Sequence, residues 1–208
     1  MKVYAISGLG ADKRVFKYLN LKGEIVPIDW IERKAGESIA DYALRMAESI
    51  NQEEEFTIMG LSFGGLIATE ISKILNPKLT VLISSAETKT DLRSLYRLLG
   101  KSKLTRIIPE NLFNLPIGIA GFVFGTDNRE LLKSILDDLD LKFAKWAVGE
   151  LLNWGNEERL KNCLNISGTK DKIMPPSKDA DTVLIQGGEH FMIVDRAEEV
   201  SEIVNTRL

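Results

Sequence analysis

Six short apolar runs, each closed by glycine or polar residues, constrain this 208-residue chain more than any other feature. They are Val3 to Ser7, Ile25 to Asp29, Phe56 to Leu61, Leu79 to Ser84, Cys163 to Ser167 and Thr182 to Ile185. Such runs are too short for helices and suit strands buried on both faces. Helical patterns lie between them. Residues 37–51 put Ile39, Ala43, Met46, Ala47 and Ile50 on one face, with Ser38 as the expected cap. Residues 65–75 carry Ile67, Ile71, Ile74 and Leu75 and stop before Pro77, and the tail from Ala197 to Leu208 carries Val200, Ile203 and Val204. Strands alternating with helices predict an α/β fold, a three-layer α/β/α sandwich around a mostly parallel sheet of about six strands.

One segment breaks the alternation. From Thr90 to Leu160 no strand pattern stands out. Leu92, Leu95, Tyr96 and Leu99 form one helical face, and Leu131, Leu132, Ile135, Leu136 and Leu139 form another, continued by Trp146, Leu151, Leu152 and Trp154. The expected organisation is a core of residues 1–89 and 161–208, with 90–160 a helical cap inserted before the penultimate strand. The alternative for that segment is an extra packing layer.

Composition narrows the function classes. The chain is 44% hydrophobic and 27% charged, with a net charge of −3, which gives no basic footprint for nucleic acid and no polybasic cluster for a membrane surface. No stretch approaches the ~20 apolar residues of a membrane span. The most apolar patch, Leu112 to Phe124, is broken by Pro116, Gly118 and Gly121. The chain enters a strand-like run at once, with no leader pattern, so a reducing cytoplasm is the expected location. Cys163 is the lone cysteine, which rules out an intramolecular disulfide, and with His190 as the lone histidine a usual zinc set is out of reach. No metal and no cofactor are expected.

The stretch MGLSFGGL, residues 59–66, sets Ser62 in a G-x-S-x-G pattern between a strand-like run and a helical one. A hydroxyl there stands above the carboxyl ends of the strands, where open sheets bind ligands. The following helix aims its N-terminus at developing negative charge. Gly60 and Gly64 are expected to remove side chains that would clash across the turn, and Gly65 to let the helix approach the next strand. The rival reading is a serine that caps the helix.

A serine needs an adjacent base to become a nucleophile. His190, in IQGGEHFMIV, follows the last strand-like run in a glycine-rich loop; the bland alternative is a structural histidine. The base needs a carboxylate to hold its tautomer. Asp171, in ISGTKDKIMPP, lies just past the fifth run, although it also reads as a turn aspartate. Glu87 is the other serious candidate, ahead of Asp179 and Asp181. Acyl chemistry further needs donors for an oxyanion. The backbone amide of Phe63 is one; the second is expected from Leu9, or else Gly10, in SGLGADKRVF. A dinucleotide reading of that loop fails because Lys13 stands where the third glycine belongs.

With GLSFGG at 60–65, SGLGAD at 7–12, SGTKDKIMP at 167–175 and GGEHF at 187–191, the chain resembles the α/β-hydrolase superfamily over essentially its whole length, as a small capped esterase-like member. The resemblance implies nucleophile, acid and base in the order Ser62, Asp171, His190, and a cap between the family's sixth and seventh strands, where 90–160 falls. Three departures stand beside it. Ser7-Gly8 occupies the place of the usual histidine-glycine pair, the family's first two strands are missing, and the interval from Asp171 to His190 is short.

The expected function is hydrolysis of a small carboxylic ester or related acyl substrate through an acyl-enzyme. Phe113, Phe122, Phe124, Trp146 and Trp154 are candidates for an apolar acyl pocket, or else core between cap and sheet. A cofactor-free lyase using the same residues and a non-catalytic ligand-binding protein are the alternatives. The leaving group, the acyl length and the oligomeric state are left open by the sequence.

Overall fold

The computed structural model describes residues 1–102, 108–113, 115–177 and 179–208. Its sheet is built from β1 (Lys2–Ile6), β2 (Glu24–Ile28), β3 (Phe56–Leu61), β4 (Leu79–Ile83), β5 (Cys163–Gly168) and β6 (Val183–Ile185). Every pairing is parallel, and the order is β2-β1-β3-β4-β5-β6. The chain leaves β1 for β2 on one side, then crosses to β3 on the other. That reversal of direction falls between β1 and β3, and open sheets of this kind take ligands at the carboxyl ends of the strands at such a point.

The helices are α1 (Ile39–Ala47), α2 (Phe63–Leu75), α3 (Ser94–Lys101), α4 (Ile117–Phe124), α5 (Arg129–Asp137), α6 (Leu141–Asn153), α7 (Met192–Asp195) and α8 (Ala197–Asn205). Successive strand residues point to opposite faces, so Tyr4, Ile6, Ile58 and Leu82 pack with α1 and α2. Val3, Ala5, Met59, Val81 and Ile83 pack with α7, α8 and a 3-10 turn at Lys13–Tyr18. The result is the expected α/β/α sandwich. Ser38 caps α1, its hydroxyl accepting the Asp41 N–H at 3.2 Å.

Two local expectations need correction. The two edge strands are not buried on both faces: Leu184 of β6 is 46% exposed, and β2 is largely half-exposed and tolerates Pro27 because it pairs only with β1. The fourth run ends at Ile83, because Ser84 turns to a φ of 46° and leaves the strand.

Between β4 and β5 lie α3, α4, α5 and α6. Phe143 and Ala147 of α6 join the core on the α1–α2 side, and Ile135 of α5 joins the opposite one. Positions 103–107 and 114 of the 90–160 segment lie outside the described residues. Among the described residues, no helix is long and apolar enough to cross a membrane. Among them, too, no group of three or more His, Cys, Asp or Glu side chains is arranged to hold a metal ion.

Candidate active site

β3 ends at Leu61 and α2 begins at Phe63, so the chain passes from strand to helix across Ser62 alone. The serine takes φ 51° and ψ −122°, a strained conformation for a residue with a Cβ. Its surroundings hold it there. The Ser62 N–H donates to the Ile83 carbonyl at 3.0 Å, and the Ser62 carbonyl accepts from Gly65 N–H at 2.9 Å and from Ser85 Oγ at 2.7 Å. Ser62 Oγ makes no capping bond to α2, which removes the capping reading.

The three glycines act differently from one another. A Cβ on Gly60 would sit 2.4 Å from the Gly64 carbonyl oxygen, across the turn as expected. On Gly64 it would sit 2.1 Å from the Ser7 carbonyl oxygen, so this glycine admits the end of β1 rather than clearing the turn itself. On Gly65 it would meet Ser85 Oγ at 2.1 Å, in the loop after β4.

His190 follows β6 in a loop turned by Gly187, whose φ is 73°. Its Nε2 lies 2.9 Å from Ser62 Oγ, and its Nδ1 lies 2.8 Å from Asp171 Oδ2. A carboxylate only accepts, so the proton of that second bond belongs to Nδ1 and Nε2 turns its lone pair to the serine. Asp171 Oδ1 accepts the N–H groups of Ile173 and Met174, each at 2.8 Å. The aspartate thus closes its own turn and holds the imidazole as well. Its loop is stitched to the histidine loop, because Lys170 N–H donates to the Gly188 carbonyl at 2.8 Å. Ser62 is 9% exposed, His190 4% and Asp171 5%.

Glu87, the rival acid, is engaged elsewhere. It is buried, and its carboxylate accepts from Arg159 Nη1 and Leu160 N–H at 2.6 Å and from Asn165 Nδ2 at 3.1 Å. Asp179 pairs with Arg159 at 3.0 Å.

The first strand ends in a tight turn. Ala11 N–H donates to the Gly8 carbonyl at 2.9 Å, with Gly10 at φ 75° in the turn position that favours glycine. Ser7 Oγ braces the turn from beneath by donating to the Ala11 carbonyl at 2.7 Å. A Cβ on Gly8 would lie 3.3 Å from Ser62 Cβ, so turn and serine are neighbours. Among the described residues, neither Leu9 N–H nor Phe63 N–H has an acceptor.

The five candidate pocket aromatics do not share one wall. The Phe124 ring lies 5.7 Å from that of His190. Trp146 stacks among Tyr42, Phe63 and Phe143, beside the serine turn. Trp154 is core, its Nε1 donating to Glu70 Oε1 at 2.8 Å. Phe122 is 70% exposed, with Lys172 over its ring, and Phe113 is partly buried in a 3-10 turn at Glu110–Phe113. Trp30 and Phe143 were absent from that set. They line, with Gly10 and Leu139, a groove of about 660 Å³ beside the Gly8–Ala11 turn. Sequence reasoning also missed Ser85, whose neighbourhood with Ser62 follows only from the pairing of Leu61 with Ile83.

No protein-family model matches the chain, and no curated protein matches it in sequence. Solved structures do match. A putative lipase from Acinetobacter baumannii AYE superposes with a TM-score of 0.71 at 17% identity, over 97% of this chain and 81% of that one. The RedJ thioesterase of the prodiginine biosynthetic pathway in Streptomyces coelicolor gives 0.71 at 14% identity, over 100% and 90%. An esterase from Thermogutta terrifontis gives 0.70 at 14% identity, over 99% and 88%. Identities this low speak for the fold alone, and together with the all-parallel sheet they show that this chain has the α/β-hydrolase fold.

Proposed function

We propose that the protein is a serine hydrolase that cleaves small carboxylic esters or thioesters through an acyl-enzyme. The observation that carries this reading is the unbroken line from Ser62 Oγ to His190 Nε2 at 2.9 Å and from Nδ1 to Asp171 Oδ2 at 2.8 Å. Ser62 Oγ attacks the acyl carbon while Nε2 takes its proton. Asp171 holds the imidazole in the required tautomer and stabilises the imidazolium that forms. The unpartnered N–H groups of Phe63 and Leu9 receive the oxyanion, each donor contributing about 3 kcal/mol to the transition state. The imidazolium then protonates the leaving oxygen or sulfur. Water, activated by the same nitrogen, releases the acid and restores Ser62.

A chain read as a hydrolase needs a place for its acyl group. The groove beside the Gly8–Ala11 turn offers Trp30, Leu139 and Phe143 as an apolar strip, edged by charged side chains that include Arg14, Arg33, Asp138 and Lys142. Rates on acetyl and octanoyl thioesters and esters test that seat.

The nucleophile is tested with a fluorophosphonate probe. Wild type is expected to label once per chain and Ser62→Ala not at all; labelling that persists in Ser62→Ala overturns the reading. An activated ester is expected to give a burst of acyl-enzyme, which a lyase or a binding protein on this fold would not.

A further inference from the structure

The turn that carries Asp171 is gripped from outside. Its carboxylate oxygen Oδ1 accepts the N–H groups of Ile173 and Met174. In a trans peptide the N–H and the C=O of one unit point in opposite directions. Turning these two N–H groups inward therefore turns the carbonyls of Lys172 and Ile173 outward. Both outward carbonyls meet donors at the start of α3. Arg93 Nη2 donates to the Lys172 carbonyl at 2.9 Å, and Tyr96 Oη donates to the Ile173 carbonyl at 2.9 Å. Weaker bonds from Arg93 reach the carbonyls of Asp171 at 3.3 Å and Ile173 at 3.4 Å.

We infer that Arg93 and Tyr96 are positioning residues for the Asp171 carboxylate, acting through the two peptide groups between them. This deepens the hydrolase reading and rests on it for the role of the carboxylate. Each peptide group is held at both ends, by an α3 donor on its oxygen and by Asp171 Oδ1 on its nitrogen. A hydrogen bond to the carbonyl polarises the peptide and strengthens its N–H as a donor. The chain of bonds thus runs from Tyr96 through one peptide to Asp171, then to His190 and Ser62. Without the outer donors the turn is free to rotate its peptides, and the carboxylate loses the fixed acceptor geometry that aims Oδ2 at His190.

The start of α3 is itself anchored, which makes the grip firm. Asp91, two residues before Arg93, is buried and accepts from Ser177 Oγ at 2.8 Å, from Thr88 N–H at 3.0 Å and from Arg159 at 3.2 Å. Ser177 lies in the same β5–β6 connection as Asp171. One short segment of the helical region between β4 and β5 therefore holds the acid loop at both its ends.

The chain's single histidine makes the test direct, since every imidazole signal in a nuclear magnetic resonance spectrum comes from His190. The variants are Tyr96→Phe, which keeps the ring, Arg93→Gln, and the pair together, with Lys101→Gln as a control elsewhere on α3. In the double variant the low-field Nδ1–H signal is expected to broaden or vanish, while backbone amide signals far from residues 171–174 stay in place. With an ester substrate, kcat is expected to fall about tenfold with KM changed by less than about twofold, the signature of a misplaced catalytic group. An Nδ1–H signal unchanged from wild type in the folded double variant overturns the inference. Should the double variant fail to fold, Tyr96→Phe alone is read in the same way. The imidazole signal needs no turnover, so it decides this point even if Ser62 proves not to be the nucleophile.

Discussion

The Ser85 hydroxyl donates a 2.7 Å hydrogen bond to the backbone carbonyl of Ser62, and so clamps the residue whose φ of 51° presents its side chain to His190. Both partners are buried. Removing the donor leaves that carbonyl with only the Gly65 N–H, in a turn already under strain. Ser85→Ala is expected to cost about 1–2 kcal/mol in urea unfolding and to slow fluorophosphonate labelling of Ser62.

Gly64 and Gly118 make a contrasting pair. A Cβ on Gly64 would press against backbone oxygens of Ser7 at 2.1 Å and Ile6 at 2.5 Å, atoms that cannot move without parting β1 from the serine turn. Gly64→Ala is expected to cost more than about 3 kcal/mol. On Gly118, within α4, a Cβ would meet nothing within 4 Å. Gly118→Ala is expected to stabilise the protein by up to about 1 kcal/mol. Thermal unfolding of the two variants, run side by side, checks both signs.

Asp171 and Glu87 are both buried carboxylates near the carboxyl ends of the strands, but they face different partners. Asp171→Asn is expected to lower kcat/KM by about 10³- to 10⁴-fold, because the amide no longer enforces the tautomer of His190. Glu87→Gln is expected to leave that ratio nearly unchanged, because its carboxylate bonds to neither Ser62 nor His190, and to act on stability instead. It takes an anion from Arg159, Leu160 N–H and Asn165, at a cost of about 2–3 kcal/mol. Steady-state kinetics and urea unfolding on both variants separate the roles.

Asp91 predicts part of the acid sensitivity. Burial alone would push its carboxyl up, but the hydrogen bonds from Ser177 and Thr88 and the charge of Arg159 outweigh it and hold the group below its ordinary 3.8. A carboxyl lowered on folding adds stability that is fully present above its ordinary value. That stability is lost as pH falls from there through the folded value. Urea midpoints are expected to drop across that acid window in wild type. In Asp91→Asn the drop should be shallower, from a lower starting stability at neutral pH.

Much of the fold was legible in the residues themselves. Short apolar runs such as Phe56–Leu61 and Leu79–Ile83 can satisfy their backbone by pairing with one another, and periodic segments such as 39–47 can bury one face only against another element. The same local logic put Ser62 between a strand and a helix. It could not say that Gly64 exists for the end of β1, because that contact joins positions far apart in the chain.

What the sequence determined by itself was the repertoire: six strand-forming runs, one histidine, and a serine ringed by glycines. Only the tertiary structure decided between Asp171 and Glu87 as the partner of that histidine, and put Ser85, Arg93 and Tyr96 around the resulting line of bonds. The physical reason is range. Strand and helix formation depend on periodicities within a few residues, whereas a hydrogen bond between residues 62 and 190 depends on sheet order and on the paths of three loops. No stretch of sequence contains that information locally.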